Sequence, residues 1–210
     1  MYTYNTSHGE LNQYQLKRIK QTIDNALEEH TRTIAIRVDL HTPLMKCLCD
    51  MPTEDDFAKV DASVISRFMT SLREKIKYDL IKREKESKRV RKTALRFIWS
   101  REYCPTTHKK HYHTLLLLNR DMFSYLGSFE NDKGTLLRLI REAWMSATGL
   151  IYPRSKELVE IPKNPIYYLN AKDGDQSKRY KDLIYRTSYF AKYKSKGFTD
   201  GERNFGCSQR

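Results

Sequence analysis

Residues 33–41, TIAIRVDLH, put Ile34, Ile36, Val38 and Leu40 on one side of an extended chain and Ala35, Arg37, Asp39 and His41 on the other. An apolar period of two suits a strand and not a helix, so it fixes a buried strand early in the chain. Two further stretches, 94–103 (ALRFIWSREY) and 111–118 (HYHTLLLL), are rich in apolar and β-forming residues. The intervening CPTTHKK supplies Pro105 and polar turn residues, so the pair is expected to be a β-hairpin. Leu158–Ile161 gives a further short strand.

Helical spacing accounts for most of the remainder. Leu11, Leu16, Ile19, Ile23 and Leu27 recur at helical intervals within residues 10–30. Val64, Ile65, Phe68, Leu72, Ile76 and Leu80 form the apolar stripe of a helix expected from about Ala62 to Lys88. Another is expected over Lys133–Ala147, with Gly149 where a C-cap belongs. Pro162 and Pro165 then interrupt the chain before a last helix over Gln176–Lys196, closed by Gly197. Residues 42–61, with Pro43, Pro52 and an acidic cluster, read as a loop. The result is an α+β domain: an antiparallel sheet of about five strands with helices covering one face. Within 210 residues there is no repeat, low-complexity tract or Gly/Ser linker. Residues 1–31 are therefore read as an N-terminal helical arm and 32–210 as one domain.

Charge narrows the class of partner. Lys and Arg number 39 against 26 Asp and Glu, a net charge of +13. Residues 1–50 are balanced, six basic against six acidic, so the surplus lies further along, densest in Lys82–Thr93 (KREKESKRVRKT). Such a surface favours a polyanion, because each phosphate neutralised releases a condensed counterion. Lys82, Arg83, Lys88, Arg89, Arg91 and Lys92 are the expected nucleic-acid contacts, with Arg37 added from an open sheet face. No apolar run reaches the roughly 20 residues of a membrane span, and no secretory signal is visible. Four cysteines, Cys47, Cys49, Cys104 and Cys207, are too few and too irregular for a disulfide framework or a four-ligand zinc site. A soluble protein of a reducing, cytoplasmic compartment, without membrane partners, is expected.

Two motifs carry chemistry. In His111-Tyr112-His113 the imidazoles share one strand face and can hold one divalent cation without adding charge. Glu102, on the preceding strand, can face them across the hairpin. Two imidazoles and a carboxylate leave positions open for substrate oxygens and suit Mn²⁺ or Mg²⁺. The second motif is Tyr189-Phe190-Ala191-Lys192-Tyr193-Lys194-Ser195-Lys196. On a continuing helix Tyr189 and Tyr193 stack on one face, with Lys192 and Lys196 adjacent. A nearby ammonium favours the phenolate, the nucleophilic form of tyrosine. Asp39 and His41 are weaker candidates from the first strand. His108 is expected in a solvated turn, Cys47 and Cys49 as loop thiols, and Trp99 and Trp144 in the core.

Together, His-hydrophobic-His and Tyr-x-x-Lys-Tyr-x-x-Lys resemble the HUH endonucleases of the two-tyrosine, rolling-circle initiator type. RVDLH, WSREY…HYHTLLLLN, SYFAKYKSK and the ending FGCS look more closely like the inovirus replication-protein and YagK/YfjJ C-terminal domain family, over about residues 33–208. The resemblance implies an HUH or ferredoxin-like sheet, Glu102, His111 and His113 as metal ligands, and Tyr189 and Tyr193 as nucleophiles assisted by Lys192 and Lys196. It further implies nicking and rejoining of single-stranded DNA or an origin hairpin, initiating rolling-circle replication of a phage, prophage or satellite element. No Gly-x-x-x-x-Gly-Lys-Ser/Thr loop occurs, so a separate helicase and polymerase are expected. The alternative is a sequence-specific DNA-binding protein, a repressor or origin binder, that keeps the fold without cutting. An RNA-binding sheet is disfavoured by the missing aromatic motif of such domains.

Overall fold

The computed structural model describes residues 2–43, 57–128, 132–197 and 199–209. Cys47, Cys49 and most of the expected 42–61 loop lie outside the described residues.

The alternating segment is strand β1 (Arg32–His41), and the hairpin is β2 (Arg96–Tyr103) with β3 (Lys110–Asn119). β1 and β3 pair antiparallel from Thr33–Asn119 to His41–His111, and β3 pairs β2 on its other side. The short β4 (Val159–Glu160) and β5 (Ile166–Asn170) both pair β1 along one edge. β6 (Phe205–Cys207) closes the other edge against β2. Among the described residues six strands therefore stand where about five are expected, all antiparallel, in the order β4/β5–β1–β3–β2–β6.

β5 and β6 escape the sequence reading for different reasons. β5 follows directly on Pro165 and alternates weakly, while β6 has three residues with a central glycine. That glycine is required by packing: a Cβ on Gly206 would come within 2.5 Å of the Trp99 indole.

The helices are α1 (Gln13–Glu29), α2 (Val64–Lys85), α3 (Leu136–Thr148) and α4 (Lys178–Ser188). Gly149 ends α3 in the left-handed conformation (φ 76°), as its placement suggests. Helical cover departs from the expectation of one covered face. α2 and α3 pack on the face bearing Ile34, Ile36, Val38, Leu40, Leu116 and Leu118. α1 and α4 pack on the opposite face, over Ala35, Ile98, Leu115 and Leu117. The run Leu115–Leu118 signals this, since β3 is apolar on both faces there and both must be shielded from water. α1 contributes Ile19 and Ile23 to that second core, both buried.

In the first core Trp144 meets Phe68 and Tyr112 edge-on. Its Nε1 donates to the His41 carbonyl at 2.9 Å, which ties α3 to the end of β1. Trp99 and Trp144 are both buried, as expected.

At the start of α3 a buried ion pair joins Asp132 to Arg141 (2.6 Å), and Tyr152 donates to the same carboxylate. Burial pushes this carboxyl up, but the bonds from Arg141 and Tyr152 outweigh that and hold it below its ordinary value. Its contribution to stability is therefore present above the usual carboxylate range and lost as pH falls through the lowered value. Asp132→Ala is expected to cost about 3 kcal/mol by leaving Arg141 buried and unpaired. For a chain of this size that lowers Tm by roughly 6–12 °C. A thermal melt at neutral pH unchanged from the wild type would contradict this.

Candidate metal and nucleophile site

The site lies where β1 and β2 end and β3 begins. Pairing sets Glu102 opposite His111 and Ser100 opposite His113, so all four side chains share the face covered by α1 and α4. On the other side of β3, Asp39 is opposite His113 and His41 opposite His111. The hairpin thus brings Glu102 to the two histidines, as its length suggests. One ligand atom from each of Glu102, His111 and His113 can be chosen so that all lie within 4.8 Å of one another. These residues can hold a metal ion.

The charge state of the cluster follows from its neighbours. Glu102 Oε2 accepts from Lys192 Nζ at 2.8 Å and from Ser195 Oγ at 3.1 Å, and stands 3.6 Å from His113 Nε2. Burial pushes the Glu102 carboxyl up, but His113 and Lys192 together hold it below its ordinary value, so it is a carboxylate. Its other oxygen, Oε1, is buried and has no hydrogen-bond partner among the described residues. A buried carboxylate oxygen without a donor is costly, and a cation beside two imidazoles would satisfy it. Burial holds His111 below its usual pKa, which keeps it in the neutral form that ligates. His113 is pushed the other way: burial lowers its pKa, but Asp39 and Glu102 outweigh that and hold it above its usual value, so a cation at its Nε2 would displace a proton. With that exchange the donor set fits a divalent cation.

Behind the histidines lies a second set of contacts. His113 Nδ1 donates to Asp39 Oδ1 at 2.8 Å, which leaves Nε2 facing Glu102. Arg37 donates to the same oxygen at 2.9 Å, and both side chains are buried. Asp39 thus fixes the orientation of His113, as carboxylates behind metal-ligating histidines do. Asp39 and His41, two residues apart on β1, both face the site. His41 stacks on the His111 ring, with its Nε2 2.9 Å from a carboxylate oxygen of Glu160.

The tyrosine segment is arranged differently from the expected helix. α4 ends at Ser188, and Tyr189–Ala191 form a single 3₁₀ turn. Lys192 is extended (ψ 149°) and bridges Leu11. The segment preceding α1 causes the break. Asn12 N–H donates to the Ala191 carbonyl at 2.8 Å, and Tyr193 N–H donates to the Glu10 carbonyl at 3.3 Å. Those bonds, with the buried Lys192–Glu102 pair, replace the helical ladder.

Tyr189 and Tyr193 consequently do not stack. The Tyr189 ring meets the His113 ring edge-on at 5.4 Å between centroids, and Lys192 Nζ lies 3.5 Å from its centre. Lys192 thus stands between the Tyr189 ring and Glu102. Tyr193 is 47% exposed, and among the described residues its side chain has no hydrogen-bond or ring partner. Lys196 turns back to donate to the Phe190 carbonyl (2.7 Å) and to Gln15 (3.0 Å), and burial lowers its pKa to about 8. It supports the turn that carries Tyr189.

The expected nucleic-acid contacts fall elsewhere. Arg37 is 4% exposed, bonded to Asp39 and stacked over Phe190, so it offers nothing to a ligand on the sheet face. Lys82 and Arg83 lie at the end of α2, on the opposite face, and Arg83 is held by Asp79 and Phe123. Lys88, Arg89, Arg91 and Lys92 precede β2, at the other end of the sheet from Glu102. His8, which the sequence reading passed over, packs edge-on against Tyr189. Nothing in its sequence context pointed there.

The model for the YagK/YfjJ C-terminal domain matches residues 1–208. The chain belongs to that family. Over 209 residues it is 38% identical to the YfjJ protein of Escherichia coli (strain K12), covering 99% of each chain. It is 37% identical to YagK of the same organism over 210 residues, all of this chain and 99% of the relative. The family match includes α1 and the segment before it, which the sequence reading left unassigned. No solved structure matches. Among the described residues, no helix is long and apolar enough to cross a membrane.

Proposed function

We propose that this protein nicks and rejoins single-stranded DNA through a 5′-phosphotyrosine on Tyr189, as HUH endonucleases do, to start rolling-circle replication of a mobile element. The observation that carries the reading is the contact between the Tyr189 ring and His113, a member of the cluster that can hold a metal. A divalent cation such as Mn²⁺ or Mg²⁺, held by Glu102, His111 and His113, would supply Lewis-acid polarisation of a phosphate oxygen. Tyr189 Oη attacks phosphorus in line, a P–O bond to Tyr189 forms and the P–O3′ bond breaks. The phenolic proton is released, and the departing 3′ oxygen takes up a proton to become a free hydroxyl. The ester conserves the bond energy, so resealing by that hydroxyl needs no nucleotide.

Lys192 lies against the face of the Tyr189 ring and pairs with Glu102, so it holds that ring beside the cluster and would stabilise negative charge developing on the phosphate. Lys196 holds the Phe190 carbonyl and with it the turn. Tyr193, exposed beside this turn, serves as the second acceptor once its side chain swings toward the cluster.

The test is incubation of the full chain with a diverse single-stranded DNA pool and Mn²⁺ or Mg²⁺, followed by a denaturing gel. An SDS-resistant adduct is expected, and a chelator should abolish it. Tight binding of the pool without any adduct would favour the non-cutting DNA-binding protein instead.

A further inference from the structure

At the end of the sheet opposite the histidines, the first residues of β1 and the last of β3 and β5 floor an open groove of about 640 Å³. Arg32, Arg91, Lys92, Asn119, Asn170 and Lys172 line it. Two carboxylates also reach it, and each is already committed: Asp121 pairs with Arg32, and Glu29 pairs with Arg96 at 2.8 Å. Arg91, Lys92 and Lys172 are exposed, and among the described residues no acidic group pairs with any of them. The groove therefore carries an uncompensated positive charge from these three side chains.

We infer that this groove holds the sugar–phosphate backbone of a DNA duplex, such as an origin stem, while the opposite end of the sheet works on a single strand. Its lining decides between the two forms of DNA. Binding of single strands relies on aromatic side chains on which bases stack. None of the lining residues is Phe, Tyr or Trp. Lys, Arg, Asn and Thr are instead the residue types that contact the phosphates of a duplex, and they do so without reading its sequence. The spacing suits a substrate with two parts. From Arg32 to Asp39 along β1 is about 23 Å, close to the length of seven base-pair steps of about 3.4 Å. The two-part substrate rests on the cleavage reading, whereas duplex binding by the groove can be tested apart from it.

The test measures binding alone, in the Tyr189→Phe background without divalent metal, so its outcome is separate from that of any cutting assay. A random-sequence duplex of about 20 base pairs and a single strand of equal length are titrated across salt concentrations. The triple variant Arg91→Gln, Lys92→Gln, Lys172→Gln is compared with a control of equal charge loss at the exposed Lys17, Lys163 and Arg179. The groove variant should flatten the duplex plot of log K against log salt by about 3, one per phosphate contact. Duplex affinity should fall at least tenfold at low salt, with the single strand affected less. The control should change the slope by less than one. An unchanged slope, equal effects in the two triple variants, or equal losses for duplex and single strand would each overturn the assignment.

Discussion

On the proposed mechanism, Tyr189→Phe is expected to reduce the first covalent DNA adduct by roughly 10³-fold or more, because the other tyrosine of the segment, Tyr193, is exposed and makes no ring contact with the histidines. Tyr193→Phe should retain most single-turnover adduct formation. The asymmetry comes from the end of α4. An uninterrupted helix would make the two phenols neighbours on one face, whereas the turn at Tyr189–Ala191 puts only the Tyr189 ring against His113. Denaturing gels of both single variants and the double variant, at equal protein and DNA, read the difference directly. Adduct surviving in Tyr189→Phe but lost in Tyr193→Phe would reverse the order of attack. Adduct surviving in the double variant would rule out tyrosine chemistry on this segment.

Asp39→Ala is expected to weaken divalent-metal binding about 10–100-fold, the usual effect of removing the carboxylate behind a ligating histidine. It also leaves Arg37 buried without its partner, so stability should fall by about 3 kcal/mol. Asp39→Asn separates the two effects. Its amide oxygen can still accept from His113 Nδ1 and hold the ring, while the charge that pairs Arg37 is gone. Metal affinity should then be largely restored and the stability loss only partly so. Mn²⁺ titration calorimetry and thermal melts of the two variants provide the check. An unchanged metal affinity in Asp39→Ala would remove Asp39 from the site, and equal affinity losses in both variants would mean that charge, not ring orientation, is what His113 requires.

How much of the site could be read from the sequence depends on how local each feature is. The His111–His113 pair and its position on a strand are local, and the short hairpin leaves Glu102 little choice but to face His111. Asp39 belongs to an alternating strand whose existence is equally local. Its face, however, became decidable only once β1 was known to lie beside β3 in the register Asp39–His113. The same alternation placed Arg37 on a face assumed open, and the cover supplied by α4 and Phe190 turned a surface contact into a buried one.

Periodicity and residue type by themselves determined the α+β class, the central antiparallel strands, the helices and the cluster of side chains that can hold a metal ion. These follow from interactions between residues close in sequence and from the burial of apolar faces. Only the tertiary structure decided the second helical layer, the end of α4 and which tyrosine stands at the histidines. The physical reason is distance along the chain. Asn12 and Ala191, or Lys192 and Glu102, meet only after folding, and their hydrogen bonds and buried charges outweigh the local preference of YFAKYKSK for a helix.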